Sequence, residues 1–416
     1  MKNLFPRVLL HPQTLKHMKL GHPWVTEDSF TRKFPHAPFL VGMGTDKKET
    51  ALLLHDENHK KIKARLWSLT PPFDISEETF KKEFQTRLKT AFGKRKNLIQ
   101  ENNRENYYLV FGESDFLPGI FLQRLKNHFV LGLYTQFWDQ YLKNFIAPLL
   151  ISELKLLFPD LAIELWAQER NKKQEKQILN LTHPDLKEAQ FLLSEYEVNY
   201  LIKINNYYDL GIYTDMSALR PVVLKKFKEF QTTENARALN LFSYTGAYSL
   251  YFLKQGFKEV VSVDLSKKYL EWLEENLKHN PDLDVSKHHS LCLSVRESFK
   301  KLHDEKRQFD LIISDPPSAS SDGEKMSSSL KFYEEDLKQL LSLLAPNGIA
   351  VLFLNTHTIS RKKFEEKIQS LIASMNLQNE ISIIKRVSLE NDCPSLKGFI
   401  EGDYLKGLFV QKKATH

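Results

Sequence analysis

The chain contains 416 residues, a length that favours two or three domains over a single one. Hydrophobic residues make up 42% and aromatic residues 12%, which excludes a disordered or fibrous protein, and two cysteines are too few for a disulfide framework or a zinc cluster. The net charge of +7 is concentrated in residues 1–100, where 19 Lys and Arg face 10 Asp and Glu, and the remainder carries about −2.

This basic first part of the chain points to a module that binds a polyanion, with a solvated basic surface as the equal alternative. Its first residues, MKNLFPRVLLHPQ, carry a charge inside their only apolar run and no small-residue cleavage site, which argues against a signal peptide. The sequence also contains no apolar stretch of membrane-spanning length. We therefore expect a cytoplasmic protein without membrane or metal partners, and leave a homodimer open.

Residues 1–75 alternate short apolar runs with Gly and Pro, which predicts a small β-rich domain that ends near Pro71-Pro72. Residues 76–200 predict a small α+β domain. In it, apolar residues at helical spacing indicate a helix over 77–100, strand-like runs follow, and a second helix is expected over about 140–157.

From about residue 237 the pattern changes to alternating strands and helices. This alternation predicts a doubly wound, mainly parallel α/β sheet within residues 201–416. One helix, LKFYEEDLKQLLSLLAPNG, is expected to end at Asn347-Gly348. Ligands of such sheets bind in the loops that follow the carboxyl ends of the strands.

A turn of small and aromatic residues follows the first of these strands. It consists of Phe242, Ser243, Tyr244, Thr245 and Gly246 and opens a helix, where backbone amides can approach a ligand closely. Asp264 ends the next strand, followed by Leu265, at a position where an acid accepts hydrogen bonds from both hydroxyls of a ribose. Because the turn lacks the three-glycine dinucleotide pattern, it favours S-adenosylmethionine over NAD. A tight structural turn beside a surface Asp is the plainer alternative.

The next strand ends supply three more candidate groups. Glu297 follows the third strand, where an acid reaches the amino group of adenine. The fourth strand ends in Asp315-Pro316-Pro317, whose prolines fix the backbone so that carbonyls near Asp315 point into the cleft. A Pro-Pro pair also occurs where a strand simply leads into a loop. Here, however, rigidly held carbonyl acceptors suit a base that is bound beside a methyl donor. Asn355 at the end of the fifth strand is expected to grip the base edge together with Asp315.

These motifs resemble those of the bacterial large-subunit rRNA methyltransferases of the class I type, a family that includes 5-methylcytosine enzymes with an N-terminal PUA domain. The matching stretches are GHPWV, IKARLW, GESDFLPG with Arg124, LNLFSYTGAYS, VSVDLS, ISDPPS and EGDYLKGL. The resemblance implies a Rossmann-like class I methyltransferase domain, a PUA-like domain over 1–75, S-adenosyl-L-methionine as cofactor and rRNA as partner. It also implies that Asp215 and Arg220, which match the family's motif before the sheet, contact the cofactor.

Four residues of the basic region are candidate RNA contacts: His22, Trp24, Lys94 and Arg95. For Trp24 the sequence slightly favours the alternative of a core residue. For Lys94 and Arg95 the alternative is a solvated helix end.

The chain departs from the family pattern at several positions. Leu210 and Ser217 replace a Thr and an Arg, and Ala319 replaces an aromatic residue. The loop after the fifth strand, which contains a cysteine in the 5-methylcytosine enzymes, has none here. Cys292 and Cys393 are both interpreted as non-catalytic. His357 is a solvated loop residue or a base at the cleft.

We therefore expect an S-adenosylmethionine-dependent methyltransferase that modifies a base of large-subunit rRNA. Carbon 5 of a pyrimidine usually needs a cysteine nucleophile, whereas a ring nitrogen has its own lone pair. The absence of a cysteine from this loop favours guanine N7 over cytosine C5. Two alternatives are a catalytically degenerate homologue that binds RNA or cofactor, and a methyltransferase with a substrate other than RNA.

Overall fold

A computed structural model describes residues 4–29, 35–57, 59, 61–169, 178–204, 209–317, 320–321, 326–327 and 329–414. Ala319 lies outside these residues. The chain divides into two compact units that alternate along the sequence. Unit 1 contains residues 1–189, 203–210 and 391–402, and unit 2 contains residues 190–202, 211–390 and 403–416.

The first part of unit 1 is a five-stranded sheet with one helix. Its elements are β1 Arg7–Leu9, α1 Pro12–Lys19, β2 Trp24–Thr26, β3 Phe39–Met43, β4 Glu49–His55 and β5 Ile62–Ser68. The strand order is β1-β3-β4-β5-β2, with only β1 and β3 parallel. One face of the sheet buries small and branched apolar side chains, among them Val25, Leu40 and Leu53. The expected β-rich character is present, with the addition of α1.

The second part of unit 1 is a sheet covered by helices. Its elements are α2 Glu77–Lys94, α3 Lys96–Glu101, β6 Asn106–Phe111, β7 Ile120–Leu125, β8 His128–Leu133, α4 Asp139–Tyr141, a π-helical turn Leu142–Ile146, α5 Ala147–Leu157, β9 Glu164–Glu169 and β10 Ile178–Asn180. The strand order is β10-β9-β8-β7-β6. Ser76 caps α2, and Phe80, Phe84 and Leu88 form its buried stripe at four-residue spacing.

The single helix expected over 77–100 is two helices in the structure. The chain leaves helical geometry at Arg95, with φ −97° and ψ 3°. Arg95 lies between the two helices, and its buried side chain forms an ion pair with Asp115.

Unit 2 is built around a seven-stranded sheet. Its elements are β11 Ala189–Glu195, β12 Val198–Ile204, α6 Leu219–Lys228, β13 Arg237–Leu241, α7 Ala247–Lys254, β14 Glu259–Asp264, α8 Lys267–Lys278, β15 His288–Cys292, α9 Val295–Asp304, β16 Phe309–Ser314, β17 Ser320–Ser321, β18 Met326–Ser327, α10 Ser329–Ser342, β19 Leu344–Asn355, α11 Arg361–Ser374, β20 Ile381–Ser388 and β21 Leu405–Lys412. The large sheet has the order β15-β14-β13-β16-β19-β21-β20. Its first five strands are parallel, and β21 is antiparallel to both neighbours. The predicted doubly wound sheet is confirmed.

The expected end of one helix at Asn347-Gly348 is wrong. Helix α10 ends at Ser342, and β19 already begins at Leu344, which pairs with Phe309. Leu343 and Leu344 are fully buried, so packing against the sheet overrides the helical pattern. Asn347, with φ 62°, lies where the register of the two strands shifts, so the Asn-Gly pair marks a bulge in a strand.

Candidate methyl-transfer site

The turn after β13 brings backbone amides to the edge of the sheet. Phe242, Tyr244 and Gly246 all have positive φ, at 57°, 51° and 83°. At Gly246 an added Cβ would lie 2.5 Å from Cγ of Leu273, so both the backbone angle and the packing require glycine. The hydroxyl of Ser243 is buried and has no hydrogen-bond partner among the described residues. A buried hydroxyl without a partner at a tight turn fits a polar ligand group.

Asp264 ends β14 beside this turn. Its Oδ2 accepts a hydrogen bond from the N–H of Tyr244 at 2.9 Å, and its Oδ1 accepts one from the N–H of Ser266 at 2.8 Å. Burial raises the pKa of the carboxyl, and the two N–H donors oppose this rise. Each carboxylate oxygen has a second lone pair, so two ribose hydroxyls fit the remaining acceptor sites. Leu265, next in the chain, is 55% exposed and supplies an apolar surface at the same strand end.

Glu297 has a structural role that the sequence analysis did not predict. It is the third residue of α9, and its Oε2 accepts hydrogen bonds from the N–H and the hydroxyl of Ser294. Ser294 Oγ in turn accepts from the N–H of Glu297, which completes a capping box. The hydroxyl of Ser294 lowers the pKa of Glu297. A contact of this carboxylate with adenine remains a prediction.

Asp315 follows β16 and is only partly exposed. Burial, and secondarily the negative charge of Asp215, raise its pKa to about 7. Pro316 is buried and Pro317 exposed. Tyr333 supports this strand end, because its hydroxyl lies 3.1 Å from the carbonyl of Ser314 and 2.7 Å from that of Phe353. The carboxyl of Asp315 is thus held at a strand end where burial favours its protonated form.

Asn355 ends β19 and pairs with Leu405, the first residue of β21, which lies between the polar residues Tyr404 and Lys406. The hydroxyl of Tyr404 donates to Oδ2 of Asp215 at 2.6 Å. The ammonium of Lys406, which is 2% exposed, donates to the carbonyls of Thr356 and Tyr404. Burial lowers the pKa of Lys406 to about 8. Tyr404 and Lys406 were not among the candidate residues, although the EGDYLKGL motif that contains them was recognised.

Arg220 needs a correction. Its side chain is 1% exposed, its Nε donates to Oε1 of Glu195 at 2.5 Å, and its Nη2 donates to the hydroxyl of Ser217 at 3.0 Å. The guanidinium is therefore one half of a buried ion pair that holds α6 against β11. This placement supports a structural role in place of the expected contact with the cofactor.

The candidate RNA contacts lie in unit 1, where all four are engaged in internal bonds. Nε1 of Trp24 donates to Glu113 at 2.7 Å, and Nε2 of His22 lies 3.1 Å from Glu401, whose hydrogen bond raises the pKa of His22. Arg95 is 1% exposed and makes a bidentate ion pair with Asp115, so the expected phosphate contact of Arg95 is corrected to a buried structural pair. Nζ of Lys94 also pairs with Asp115 at 3.1 Å, but 43% of its side chain is exposed.

Neither a metal centre nor a membrane span is found where the structure describes the chain. Within those residues no group of three or more His, Cys, Asp or Glu side chains could hold a metal ion. No described helix is long and apolar enough to cross a bilayer.

Solved structures with this architecture include a candidate SAM-dependent methyltransferase from Streptococcus mutans, with a TM-score of 0.81 and 19% sequence identity over 98% of this chain and all of that one. A structure titled SMU.776, a candidate methyltransferase in complex with SAH, matches with the same values. An Agrobacterium tumefaciens SAM-dependent methyltransferase matches with a TM-score of 0.53 and 15% identity, over 76% of this chain and 91% of that one. These likenesses show that the fold is the Rossmann-like methyltransferase fold with an additional N-terminal β domain.

Curated relatives agree in class. The protein named ribosomal RNA large subunit methyltransferase I from Aeromonas salmonicida is 28% identical over 96% of this chain and 97% of its own length. Its namesake from Pseudoalteromonas translucida is 26% identical over 95% and 96%. A family model described as conserved hypothetical protein 95 matches residues 218–371. The chain is an S-adenosylmethionine-dependent methyltransferase, and the predicted enzyme class and cofactor are confirmed.

Proposed function

We propose that the protein methylates a base of large-subunit rRNA, and that the target is a ring nitrogen, guanine N7, in preference to cytosine C5. The proposal rests on the ends of β16 and β19, which are followed or ended by Asp315 and Asn355. Neither of the two cysteines of the chain lies at these strand ends. The names of the relatives support rRNA as the substrate. We also propose that residues 1–75 and 76–200 act as a PUA-like RNA-binding domain and a central domain.

The residues of the turn and of β14 would hold the cofactor, whose sulfonium supplies the methyl group. The Asp264 carboxylate would accept the ribose hydroxyls, and the amides and the free hydroxyl of Ser243 would meet the methionine end. The orphaned Ser243 hydroxyl and the glycine-only position at 246 fit such a ligand. Alignment of the acceptor with the methyl group then supplies much of the rate enhancement.

Asp315 and Asn355 are suited to the edge of guanine that carries N7. This edge presents two acceptors, N7 and O6, so recognition needs donors. A carboxyl with a pKa raised to about 7 can keep its proton near neutral pH and donate to O6. The Asn355 amide would also donate to O6, which leaves the lone pair of N7 free to attack the methyl group. Methylation of N7 removes no proton from the base, so this chemistry requires no general base in the chain.

The positions of the cysteines support a nitrogen target. Cys292 is exposed and ends β15, three strands away from β16 in the sheet order. At about 4.8 Å per strand, its thiol would have to reach across about 14 Å to a base held by Asp315. Cys393 is only 2% exposed. The covalent route to carbon 5 therefore has no nucleophile on this face of unit 2.

The test is a nucleoside analysis of large-subunit rRNA from a strain lacking the gene, complemented with wild type or with Asp315→Ala. We expect 7-methylguanosine to fall by one residue per ribosome on deletion and to return only with wild type. Loss of 5-methylcytidine would overturn the nitrogen assignment while preserving the enzyme class. An unchanged nucleoside profile would favour a degenerate or non-RNA-modifying homologue.

A further inference from the structure

Unit 1 contains a cavity that the proposed function does not use. Its volume is about 340 Å³, which lies within the range of about 300–1,000 Å³ found for pockets that bind small organic groups. Much of its wall is apolar: Pro23, Leu66, Leu69, Phe116, Pro118 and Leu396. The one carboxylate on the wall, Glu113, is already paired with Arg65 and with Nε1 of Trp24. The cavity, called the slot below, is thus largely apolar with little unpaired negative charge.

Phe116 stands out within this wall. Its side chain is 55% exposed, and its backbone has φ 57° and ψ 27°, a left-handed conformation that bulky residues rarely adopt. The conformation is held in place, because the Phe116 N–H bonds to the carbonyl of Glu113 and Arg87 donates to the Phe116 carbonyl at 2.8 Å. Asn or Gly would satisfy this backbone at lower cost. An exposed aromatic ring at a position that disfavours it points to a use for the ring itself.

Two lysines lie beside the slot. Lys19 lines it, and Nζ of Lys94, which also pairs with Asp115 at 3.1 Å, lies 5.9 Å from the centre of the Phe116 ring. The guanidinium of Arg87 lies 3.6 Å from the centre of the Trp67 ring, which is also part of the wall. Apolar walls with an aromatic platform bind a base, and cations at the rim bind the phosphates that flank it.

We propose that this slot binds an unpaired nucleotide of the RNA, whose base stacks on Phe116 while Lys94 and Lys19 contact neighbouring phosphates. The inference rests on the proposed RNA substrate and deepens it, because it assigns single-stranded RNA recognition to a particular side chain of unit 1. It also shifts the recognition surface from His22 and Trp24, which are engaged in internal bonds, to the adjacent exposed ring.

The decisive variant is Phe116→Asn. Asparagine tolerates the left-handed backbone, so the variant is expected to fold at least as stably as wild type. Stacking is lost, and binding of a twelve-nucleotide single-stranded RNA is expected to weaken about tenfold, as for the loss of one stacked base. Phe116→Trp should retain affinity. The matched control is Phe230→Asn, since Phe230 is also an exposed ring, 42% accessible, with Nζ of Lys226 at 4.9 Å.

The readouts separate stacking from charge. Fluorescence anisotropy against salt concentration should give the same slope for Phe116→Asn as for wild type, whereas Lys94→Ala should lower the slope by about 0.7, the value for one phosphate of a single strand. Tenfold weaker binding in Phe116→Asn alone, with Phe230→Asn at wild-type affinity, supports the inference. Wild-type affinity in Phe116→Asn overturns the inference. The slot would then be better explained as a site for a side chain of a partner protein. If the wild-type protein binds no RNA, the proposed substrate and the inference both fail.

Discussion

The carboxylate of Asp264 accepts a hydrogen bond from the backbone N–H of Tyr244. Asp264 ends β14, and Tyr244 lies in the turn that follows the neighbouring strand β13. The acid therefore shapes the turn that would hold the methionine end of the cofactor, in addition to the ribose contact that we propose for it. Cofactor affinity and turn geometry depend on the same side chain. A substitution at Asp264 is expected to affect both.

Asp264→Ala should weaken binding of S-adenosylmethionine by about 2 kcal/mol or more, since a charge-assisted contact with two hydroxyls is lost. Isothermal titration calorimetry measures this directly. Asp310→Ala is the matched control. Asp310 likewise accepts a hydrogen bond from a backbone N–H, that of Arg237 at 2.8 Å, but at the amino ends of β13 and β16. Equal cofactor affinity in Asp264→Ala and wild type would remove Asp264 from the site.

Gly246→Ala should destabilise the protein by about 2–4 kcal/mol, because a positive φ and an overpacked contact with Leu273 act together. Urea denaturation gives the change in the free energy of unfolding. Gly93→Ala is the opposite control. Gly93 lies in α2 with nothing within 4 Å of an added Cβ, so alanine there should stabilise by about 0.5–1 kcal/mol. A Gly246→Ala protein of wild-type stability would contradict the packing argument.

The raised pKa of Asp315 makes stability depend on pH. A carboxyl whose native pKa is about 7 binds its proton more tightly in the folded state, so its stabilising contribution is lost as the pH rises from about 4 to 7. Asp315→Asn cannot ionise. It should be more stable than wild type at pH 8, on the order of 2 kcal/mol, and nearly equal at pH 4.

Paired urea titrations at pH 4 and pH 8 test this expectation for Asp315. Asp215→Asn serves as the second variant, because it removes the smaller of the two causes of the raised pKa of Asp315. In this variant the loss of stability with rising pH should be complete at a lower pH than in wild type. A stability difference between Asp315→Asn and wild type that does not change with pH would show that folding does not raise the pKa of Asp315.

Replacement of both cysteines should leave methyl transfer intact. Cys292→Ser alters an exposed thiol, and Cys393→Ala avoids placing a hydroxyl at a buried position. Turnover on rRNA, measured by transfer of a labelled methyl group, is expected to remain within about twofold of wild type. Loss of turnover in a folded Cys292→Ser or Cys393→Ala protein would show that a thiol takes part in the reaction.

RNA affinity should fall steeply with salt through counterion release. Lys19→Ala is expected to reduce the slope of log affinity against log salt by about 0.7, the value for one phosphate of a single strand. Lys300→Ala, an exposed lysine of unit 2, is the control. An unchanged slope for Lys19→Ala would exclude this lysine from the interface. Point variants are preferable to deletion of residues 1–75, which would leave the buried Glu113 without Trp24 and Arg65.

The predictions from sequence succeeded where local pattern decides the structure. The parallel strands of unit 2 are buried apolar runs, so their ends, and with them Asp264, Asp315 and Asn355, could be located from periodicity alone. The failures involve partners distant in the chain. The residues around Arg95 in the sequence give no indication of its hydrogen bond to the carbonyl of Asp392, 297 residues later.

The same reason explains the residues that were missed. Tyr404 acts on Asp215 from 189 residues away, and a pattern of apolar spacing contains no information about that pair. Phe116 was seen only as part of a motif. Its exposure and positive φ depend on the hydrogen bonds that fix the turn, which the sequence does not display.

Residues 391–402 leave unit 2 between β20 and β21 and belong to unit 1. There Asp392 accepts hydrogen bonds from Arg104 at 2.7 Å and from the N–H of Tyr108 at 3.0 Å, all within a buried cluster. Domains usually fold in order of synthesis, from the N-terminus. Unit 1 cannot be completed in that order, because the counter-ion of Arg104 lies 288 residues later, after most of unit 2 in the sequence. The last contacts of unit 1 therefore form only once residues 211–390 of unit 2 have been synthesised.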